Sequence, residues 1–565
     1  MRALSLRSLS LLALITAVGC GGGNRSGFLG LGEDDEPTEP AEKDTQSGEL
    51  PGGGFGESSG GVELEPKNTT VIIDTATNPA TPGAVTYKVT AGGADVTGTA
   101  SFTVEDSALG SFNGATFTTA AKLPGTAIGM STLVQATTKD GVAAGRVTIV
   151  QLRKTGDQRD FFFIVPYQKD PSPKSDVLKF STNIKEVDVV FSMDTTGSMS
   201  GSINNLKSAL SGTLLSQLQA AIPSVGLAVV DYKDYPISPY GSTSFLGSPA
   251  DWPVKVHQKI TTNLSSAQTA VGKYSASGGG DLPESQIPAM QHILTGEALS
   301  WSGGSVAAAT PAANHWGAVD FRPGAVPVVV NITDVDWHGE GHSPYNFATP
   351  TMASLKSAFN AKSAFFVNVT SSDESQANDL SDATKSNVDA SAFGGTCGAG
   401  QCCTGVNGAG RAANGPSGKC RLNFLHSGGN GVSSGIVKAI EAISVGAAYD
   451  VKAIPSNDPK NAKGVDATKF IKALRAMEEG NAQNGCPAAS AKDTDGDGIK
   501  DTFLNVKVGT KVCFEVIPAK NTSVQPENQP QFYNAFVDVI GVQGNVKLDT
   551  RTVLFLVPPK DPGVN

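Results

Sequence analysis

The sequence predicts a multidomain protein in which a doubly wound α/β domain lies between two all-β sandwiches. The chain has 565 residues, enough for about three or four domains. Its 65 glycines and 32 prolines, with only 7% aromatic residues, indicate the many turns of a β-rich fold. A central region alternates apolar runs with helical periodicity, whereas the regions on either side contain short β-branched runs typical of antiparallel strands.

Composition and charge exclude two classes of protein. At 39% hydrophobic residues the chain is too apolar to be disordered throughout. Its formal charge of −10 is too acidic for a general nucleic-acid binder, so no nucleic-acid partner is expected. Much of the excess acid lies in the stretch 21–61, which leaves the remainder nearly neutral.

The N-terminus is typical of an exported, lipid-anchored protein. Residues 1–19 contain Arg2 and Arg7 before a short apolar run, as in a secretory signal peptide. The run ends in Ala17-Val-Gly-Cys20, which resembles the bacterial lipoprotein box and implies lipidation of Cys20. Residues 20–61 then form an acidic linker without enough apolar surface to fold. The resemblance implies an outer-membrane lipoprotein that contacts the membrane only through its lipid, with its folded part exposed at the cell surface.

Two β modules are predicted, over residues 62–172 and 448–565. In the first, the segments 107–112, 125–127 and 147–150 resemble the bacterial immunoglobulin-like repeat, which implies a sandwich. The segment 158–166 resembles 550–558 near the C-terminus. Two interpretations stay open, because residues of about 151–180 could instead belong to the C-terminal module, with the central domain inserted into it.

The central domain is predicted over residues 173–447. The buried run Val187–Met193 leads directly into Asp194-Thr-Thr-Gly-Ser-Met and then into a helical period. Further apolar runs follow at 225–230, 326–333 and 364–370. Strand and helix in alternation predict a doubly wound sheet, whose ligands bind at the carboxyl ends of its strands.

Four side chains at those strand ends form a candidate metal site. Asp194, Thr196 and Ser198 alternate along a tight loop, so that their oxygens can face one side. Asp334 follows another apolar strand. A set of oxygen ligands favours Mg²⁺ or Ca²⁺, with Mn²⁺ as a substitute, over zinc. A carboxylate from a partner protein could then complete the coordination of the ion.

These residues resemble the metal-ion-dependent adhesion site of a von Willebrand factor A domain, in the variant found in integrin β subunits. The segment Gly280-Asp-Leu-Pro-Glu284 resembles the Asp-x-Pro-Glu loop of that variant, which implies Glu284 as a further ligand of the main ion. The resemblance also implies a neighbouring Ca²⁺ held by Asp234 and Asp281, with Glu284 shared. Ser277 is an alternative oxygen donor in the same loop.

Two departures from the integrin pattern affect the metal predictions. Gly201 and Ser202 stand where integrin β chains carry paired acids, so a third ion is not expected. The stretch from His338 to His342 contains two histidines and an acid, but it lacks the helical His-Glu-x-x-His spacing of a zinc site. We therefore interpret it as a glycine-rich loop.

The cysteines other than Cys20 are even in number, as expected for disulfides in an exported chain. Four of them lie in a glycine-rich insertion over 391–421: Cys397, Cys402, Cys403 and Cys420. The strain of a vicinal bridge favours the two pairings that avoid it, and the choice between these two stays open. A zinc knuckle is disfavoured because no Cys-x-x-Cys pair occurs. In the C-terminal module, Cys486 and Cys513 are predicted to form a disulfide.

The C-terminal module also contains a candidate calcium loop. Its acids alternate and a glycine is sixth, which resembles loops of the EF-hand or thrombospondin type 3 kind. Leu504 stands where the bidentate Glu would be, so weak binding is expected. The predicted ligands are Asp493, Asp495, Asp497, Ile499 and Asp501.

Together these observations predict a surface adhesin that binds an acidic protein or surface ligand through a divalent cation. The alternative is an envelope assembly or scaffold protein that uses the same ion to hold a permanent partner. An enzyme is disfavoured, because the sequence has no Gly-x-Ser-x-Gly, Walker or His-Glu-x-x-His motif and only 6 histidines.

Overall fold

The computed structural model describes residues 58–75, 80–152, 154–155, 158–244 and 250–560. The predicted signal peptide, Cys20 and most of the predicted linker lie outside the described residues. The chain divides into two compact units. The first contains the described residues up to 159 together with 523–532 and those from 556 onward, and the second contains 160–522 together with 533–555.

The first unit is built from short strands with alternating buried and exposed side chains, such as Val62–Glu65. This period of two places one side of each strand in a core that includes Val134, Val147 and Phe117. The strands are Val62–Glu65, Asn68–Ile73, Ala84–Thr86, Lys88–Ala91, Ala94–Asp95, Ser101–Val104, Gly110–Asn113, Thr116–Thr119, Gly129–Thr138, Gly141–Gln151, Lys154–Thr155 and Gln158–Arg159.

The second unit contains two β-sheets built from strands on both sides of the central region in sequence. One sheet has six strands, in the order Phe161–Ile164, Val546–Val557, Gln531–Gly541, Ala448–Asn457, Thr502–Lys507 and Ala491–Lys492. The other has three, in the order Asp176–Phe180, Val512–Pro518 and Ile471–Ala476. The strands at 161–164 and 176–180 therefore pair with strands more than 300 residues later in the chain.

The second unit also contains a six-stranded sheet, which we call the central sheet. Its order is Lys255–Thr261, Ser224–Tyr232, Glu186–Asp194, Val326–Thr333, Phe365–Thr370 and Asn423–Leu425. All neighbours are parallel except the edge strand Lys255–Thr261, which is antiparallel. The inner strands are buried along almost their whole length, which explains their continuous apolar runs.

Seven α-helices are present among the described residues, and all lie between the strands of the central sheet in sequence or directly after them. They are Ser200–Ser211, Leu214–Ala221, Leu264–Val271, Gln286–Thr295, Met352–Lys362, Ser375–Ala383 and Val432–Gly446. Local signals define several of their ends. The hydroxyl of Thr351 caps the helix that begins at Met352, and Gly296, with a φ of 72°, ends the helix before it in the left-handed conformation. Two short hairpins complete the unit, Leu299–Trp301 with Gly304–Val306 and Asn387–Val388 with Cys420–Arg421.

The predicted fold class is wrong. Strand accounts for 38% and helix for only 20%, and the strands form nine sheets within the described ranges. The central sheet is mixed, and the strands just before it pair with strands after it, so the chain is not an α/β domain between two separate sandwiches. The half-buried edge strand Lys255–Thr261 has no continuous apolar run that would have revealed it. Pairing between distant segments also leaves no local pattern in the sequence.

Candidate metal centre

The central sheet brings the ends of three neighbouring strands to one edge. In the parallel registers, Asp194 lies opposite Tyr232, and Met193 lies opposite Ile332. The loops that follow these strands therefore start side by side, although they are far apart in sequence. Asp194 and Asp334, two of the predicted ligands, come from two of these strand ends.

Asp194 is held by hydrogen bonds to both of its carboxylate oxygens. Its Oδ1 accepts from the backbone N–H and the hydroxyl of Thr196, at 2.9 and 2.7 Å. Its Oδ2 accepts from the hydroxyl of Thr333 at 2.8 Å. Asp194 is fully buried, and this burial raises its pKa to about 6 despite the hydrogen bonds. These hydrogen bonds fix the orientation of the Asp194 carboxylate, so it can bind a cation without first rearranging.

Ser198 and Asp334 form the outer part of the same site. The hydroxyl of Ser198 donates to Asp334 Oδ1 at 3.0 Å, so the structure brings these two predicted ligands together. Ser198 is exposed and Asp334 half-buried, whereas Thr196 is buried. The site is therefore closed on the side of Asp194 and Thr196 and open to solvent at Ser198.

Glu284, which the family resemblance implies as a ligand, also lies near Asp194. Its backbone N–H donates to the carbonyl of Asp336 at 3.1 Å, which holds the 284 segment against the loop after Val326–Thr333. A Cβ atom on Gly279 would lie 3.1 Å from Glu284 Oε1 and 3.4 Å from the Thr196 Cβ, so the Glu284 carboxylate and the Thr196 side chain both lie beside the backbone of this glycine.

The electrostatics of Glu284 test whether a cation suits the site. Glu284 is only 3% exposed, and its Oε2 has no hydrogen-bond partner among the described residues. Burial, followed by the charges of Asp194, Asp234 and other nearby acids, raises its pKa to about 11. A buried carboxylate oxygen without a donor and among other carboxylates is unfavourable unless a positive charge neutralises it. The donors present therefore fit a divalent cation of the Mg²⁺ or Ca²⁺ class.

Ser277, the alternative oxygen donor, is engaged elsewhere. Its hydroxyl lies 3.0 Å from Lys233 Nζ, which also contacts the Ser277 carbonyl and donates to the Thr195 carbonyl at 2.7 Å. The sequence analysis did not identify Lys233, which is only 2% exposed and contacts the Asp194 loop through the Thr195 carbonyl. Burial lowers the pKa of Lys233, whereas the charges of nearby acids, Asp194 and Glu284 among them, act in the opposite direction. Its position right after a buried strand was the one available signal.

The predicted second metal site, formed by Asp234, Asp281 and Glu284, differs from the expectation in its third residue. Asp234 and Asp281 do lie together, but the close group of ligand atoms contains His338 in place of Glu284. His338 Nε2 lies 2.9 Å from Asp234 Oδ2 and 3.3 Å from Asp281 Oδ1. Burial pulls the pKa of His338 down, but its contacts with Asp234 and Asp281 raise it overall. His342 lies apart from this group, 3.7 Å from Asp336.

The predicted calcium loop has three carboxylates close together, those of Asp493, Asp495 and Asp501. Asp493 accepts backbone hydrogen bonds from Gly496 and Gly498 at 2.7 and 2.9 Å. Asp501 is paired with Lys452 Nζ at 2.9 Å, and its carboxylate also accepts from Thr494. Asp497 accepts from the backbone N–H of Ile499 at 2.7 Å. Calcium binding here stays a prediction.

The structure contains three disulfide bonds among the described residues. In the insertion, Cys397 is bonded to Cys403 and Cys402 to Cys420, which is one of the two pairings without a vicinal bridge. The Cys486–Cys513 bond is also present. None of these sulfurs is free to bind zinc.

No protein-family model and no curated protein matches this sequence. Among solved structures, the chain is similar to the pilus adhesin SpaC from Lactobacillus rhamnosus GG in its open conformation, with 10% sequence identity and a TM-score of 0.25. The similarity covers 76% of this chain and 45% of the adhesin chain, so this chain spans less than half the length of that protein. Within the described part of the chain, no helix is long and apolar enough to cross a bilayer.

Proposed function

We propose that this chain is a cell-surface adhesin that binds a carboxylate of a protein or surface ligand through a divalent cation. The cation is Mg²⁺ or Ca²⁺, and Mn²⁺ substitutes for it. The residues that would hold it all lie at the carboxyl edge of the central sheet: Asp194, Thr196, Ser198, Glu284 and Asp334.

The observation that carries this proposal is the buried, unpartnered Oε2 of Glu284. It lies in a segment that also approaches Thr196, close enough to Asp194 for the two charges to interact. Burial of the Glu284 carboxylate without a donor to Oε2, near a second buried acid at Asp194, costs stability even though Asp194 accepts three hydrogen bonds. A bound divalent cation would neutralise both.

The open side of the site supports a role in binding another molecule. Mg²⁺ and Ca²⁺ take about six to eight oxygen ligands. One oxygen from each of the five side chains leaves at least one position unfilled, and the exposed Ser198 marks the side on which solvent can reach it. A carboxylate from outside is the ligand best suited to that position, since it brings both an oxygen and a negative charge.

Titration calorimetry of the purified protein tests the cation site. The native protein is expected to bind Mg²⁺, Mn²⁺ or Ca²⁺, and Asp194→Ala to lose this binding. Asp379→Ala is the matched control, because Asp379 is a largely exposed carboxylate paired with Lys356 outside the site. No cation uptake by the native protein, or equal uptake by Asp194→Ala, would contradict the proposal.

Capture of ligands tests the adhesive function itself. Binding to immobilised protein is expected to disappear in EDTA and in Asp194→Ala, and to return when Mg²⁺ or Mn²⁺ is restored to the native protein. A stable complex that survives the chelator and the substitution would instead indicate a permanent scaffold partner.

The proposal includes attachment to the outer membrane through lipid on Cys20, after removal of residues 1–19. Its support is the Ala17-Val-Gly-Cys20 sequence. Metabolic labelling with a radioactive fatty acid tests it, since Cys20→Ser should abolish incorporation and release the protein from the membrane fraction.

A further inference from the structure

His338 lies against two carboxylates that come from distant segments of the second unit. Its Nε2 is 2.9 Å from Asp234 Oδ2 and 3.3 Å from Asp281 Oδ1, and the three ligand atoms all lie within 4.8 Å of one another. The side chains of His338 and Asp234 are fully buried, whereas that of Asp281 is 26% exposed. The group is therefore enclosed by protein except beside Asp281.

The other ring nitrogen of His338 determines what Nε2 presents to these acids. Nδ1 is in hydrogen-bond contact with the backbone carbonyl of Ser343, which can only accept, so Nδ1 carries a hydrogen. Nε2 then faces the two carboxylates either as an N–H or as a lone pair, and a lone pair there is repulsive unless a metal cation lies between them. Metal-binding histidines typically have this arrangement, with the second nitrogen donating to a carbonyl.

The groups around Asp234 also hold its carboxylate in a fixed orientation, as is typical of a metal ligand. Its Oδ1 accepts from the backbone N–H of Tyr235 at 2.6 Å and from the Tyr345 hydroxyl. Its Oδ2 lies 2.9 Å from His338 Nε2 and accepts no other hydrogen bond among the described residues. The rings of Tyr240 and Tyr345 pack on the imidazole, with centroids 5.2 and 4.3 Å away, and exclude water from this side. Such a shell orients the ligands and strengthens their interaction with an ion.

The calcium ion that the sequence resemblance implies at Asp234 and Asp281 does not fit this arrangement. Calcium takes only oxygen ligands, and about six to eight of them, whereas a buried imidazole nitrogen lies between the two acids. One imidazole and two carboxylates are ligands that zinc and similar transition metals accept, at about four positions.

We propose that Asp234 Oδ2, Asp281 Oδ1 and His338 Nε2 bind a divalent transition metal of the zinc class, with a fourth position open to solvent beside Asp281. None of these three residues belongs to the cation site of the proposed function, so neither proposal depends on the other. The backbone N–H of His338 donates to the Glu284 carbonyl at 3.1 Å. The metal would therefore also hold the 338 loop against the Glu284 segment.

Metal titrations of the full-length protein test this proposal. The experiments use Asp194→Ala as the background, which removes the other cation site, after treatment with a chelator. Zn²⁺ is titrated by calorimetry, and Co²⁺ by its visible absorption, which reports directly on nitrogen and oxygen ligands. We expect one equivalent of either metal to bind, and His338→Ala to weaken binding by about 100-fold or more. The control is His342→Ala, in the same loop but outside the group, which should bind as the background does.

If His338→Ala folds poorly, two further measurements can still test the proposal. Asp281→Asn changes a partly exposed ligand and should also weaken Zn²⁺ binding and shift the Co²⁺ spectrum. Excess Ca²⁺ should leave the Co²⁺ absorption unchanged. The proposal is overturned if the background binds no Zn²⁺ or Co²⁺, which would mean that a proton on His338 alone neutralises the acids. Unchanged binding in both variants, or displacement of Co²⁺ by Ca²⁺, would overturn it equally.

Discussion

The hydroxyl of Thr333 donates a 2.8 Å hydrogen bond to Oδ2 of Asp194, across two neighbouring parallel strands. The same hydroxyl accepts from the side-chain amide of Gln286 at 3.1 Å, at the start of the helix that follows Glu284. One buried threonine thus connects the Asp194 loop, the end of the strand before Asp334 and the Glu284 segment. This arrangement orients Asp194 before any cation binds.

Thr333→Val should therefore weaken cation binding without removing any cation ligand. We expect the affinity for Mg²⁺ or Mn²⁺ to fall by about 10-fold, as for other residues that orient a metal ligand. The protein should also lose about 1–3 kcal/mol of stability, because the buried Asp194 Oδ2 loses a donor and the Gln286 amide keeps only its 3.4 Å contact with the Asp336 carbonyl. Calorimetric titration and urea denaturation measure the two effects. Thr370→Val is the matched control, since Thr370 lies opposite Thr333 on the next strand and should leave the affinity unchanged.

Glu284→Gln should stabilise the cation-free protein while it weakens cation binding. Burial and neighbouring acids raise the pKa of Glu284 to about 11, so the folded state resists the ionisation that the unfolded state undergoes above its ordinary value of 4.5. This carboxyl therefore lowers stability as the pH rises past that ordinary value, and the amide removes the effect. In EDTA at neutral pH we expect a gain of about 1 kcal/mol or more, measured as a rise in Tm. Glu297→Gln, at an exposed carboxylate, is the control, and an equal or lower Tm for Glu284→Gln would contradict this account.

Arg322→Met should destabilise the second unit without affecting the cation site. Arg322 Nε donates to Asp188 Oδ1 at 2.6 Å, and its other nitrogens bond Ser224 and the Val187 carbonyl at the opposite end of the central strands. Asp188 is buried, so loss of its partner leaves an unpaired buried charge, at a cost of about 3 kcal/mol or more. Lys356→Met, in a pair whose acid Asp379 is 55% exposed, should cost about 1 kcal/mol or less. Denaturant midpoints measure both, and cation affinity should stay unchanged in each variant.

His426 should make the protein less stable in mild acid. Its Nε2 donates to the Thr333 carbonyl, so Nδ1 accepts from the Gly429 N–H in the neutral ring. Burial lowers the pKa of His426 below its ordinary 6.5, so below that pH the unfolded chain takes up a proton that the folded chain resists. His426→Gln keeps one donor and one acceptor but cannot be protonated.

The difference in stability between the native protein and His426→Gln is therefore expected to change in favour of the variant between about pH 7.5 and about pH 5.5. Urea midpoints at both pH values measure this difference. His315→Gln is the control for loss of a histidine in general. A difference that stays constant with pH would show that His426 is protonated equally in the folded and unfolded states.

The amino-acid sequence was sufficient to predict the loop that follows the buried strand Glu186–Asp194. Asp194, Thr196 and Ser198 lie at or just after the end of an apolar run that is long enough to be a buried strand. This pattern is local, so it can be recognised without knowing how the rest of the chain folds. Glu284 was found only through a family resemblance, because nothing in its local sequence shows that its carboxylate is buried beside Thr196. Ser277 looked equally suitable until the structure placed it against Lys233.

The tertiary structure alone decided the sheets and the second cluster. The sequence left open whether residues of about 151–180 belong to the C-terminal module, and the structure pairs Asp176–Phe180 with Val512–Pro518. The edge strand Lys255–Thr261 depends on contacts between segments far apart in sequence, which no local period records. His338 joins Asp234 and Asp281 for the same reason, since its glycine-containing loop has no helical spacing that would indicate a ligand. Side-chain chemistry and strand periodicity are local properties of the sequence, whereas the direction in which a side chain points after a loop is determined by everything that packs around it.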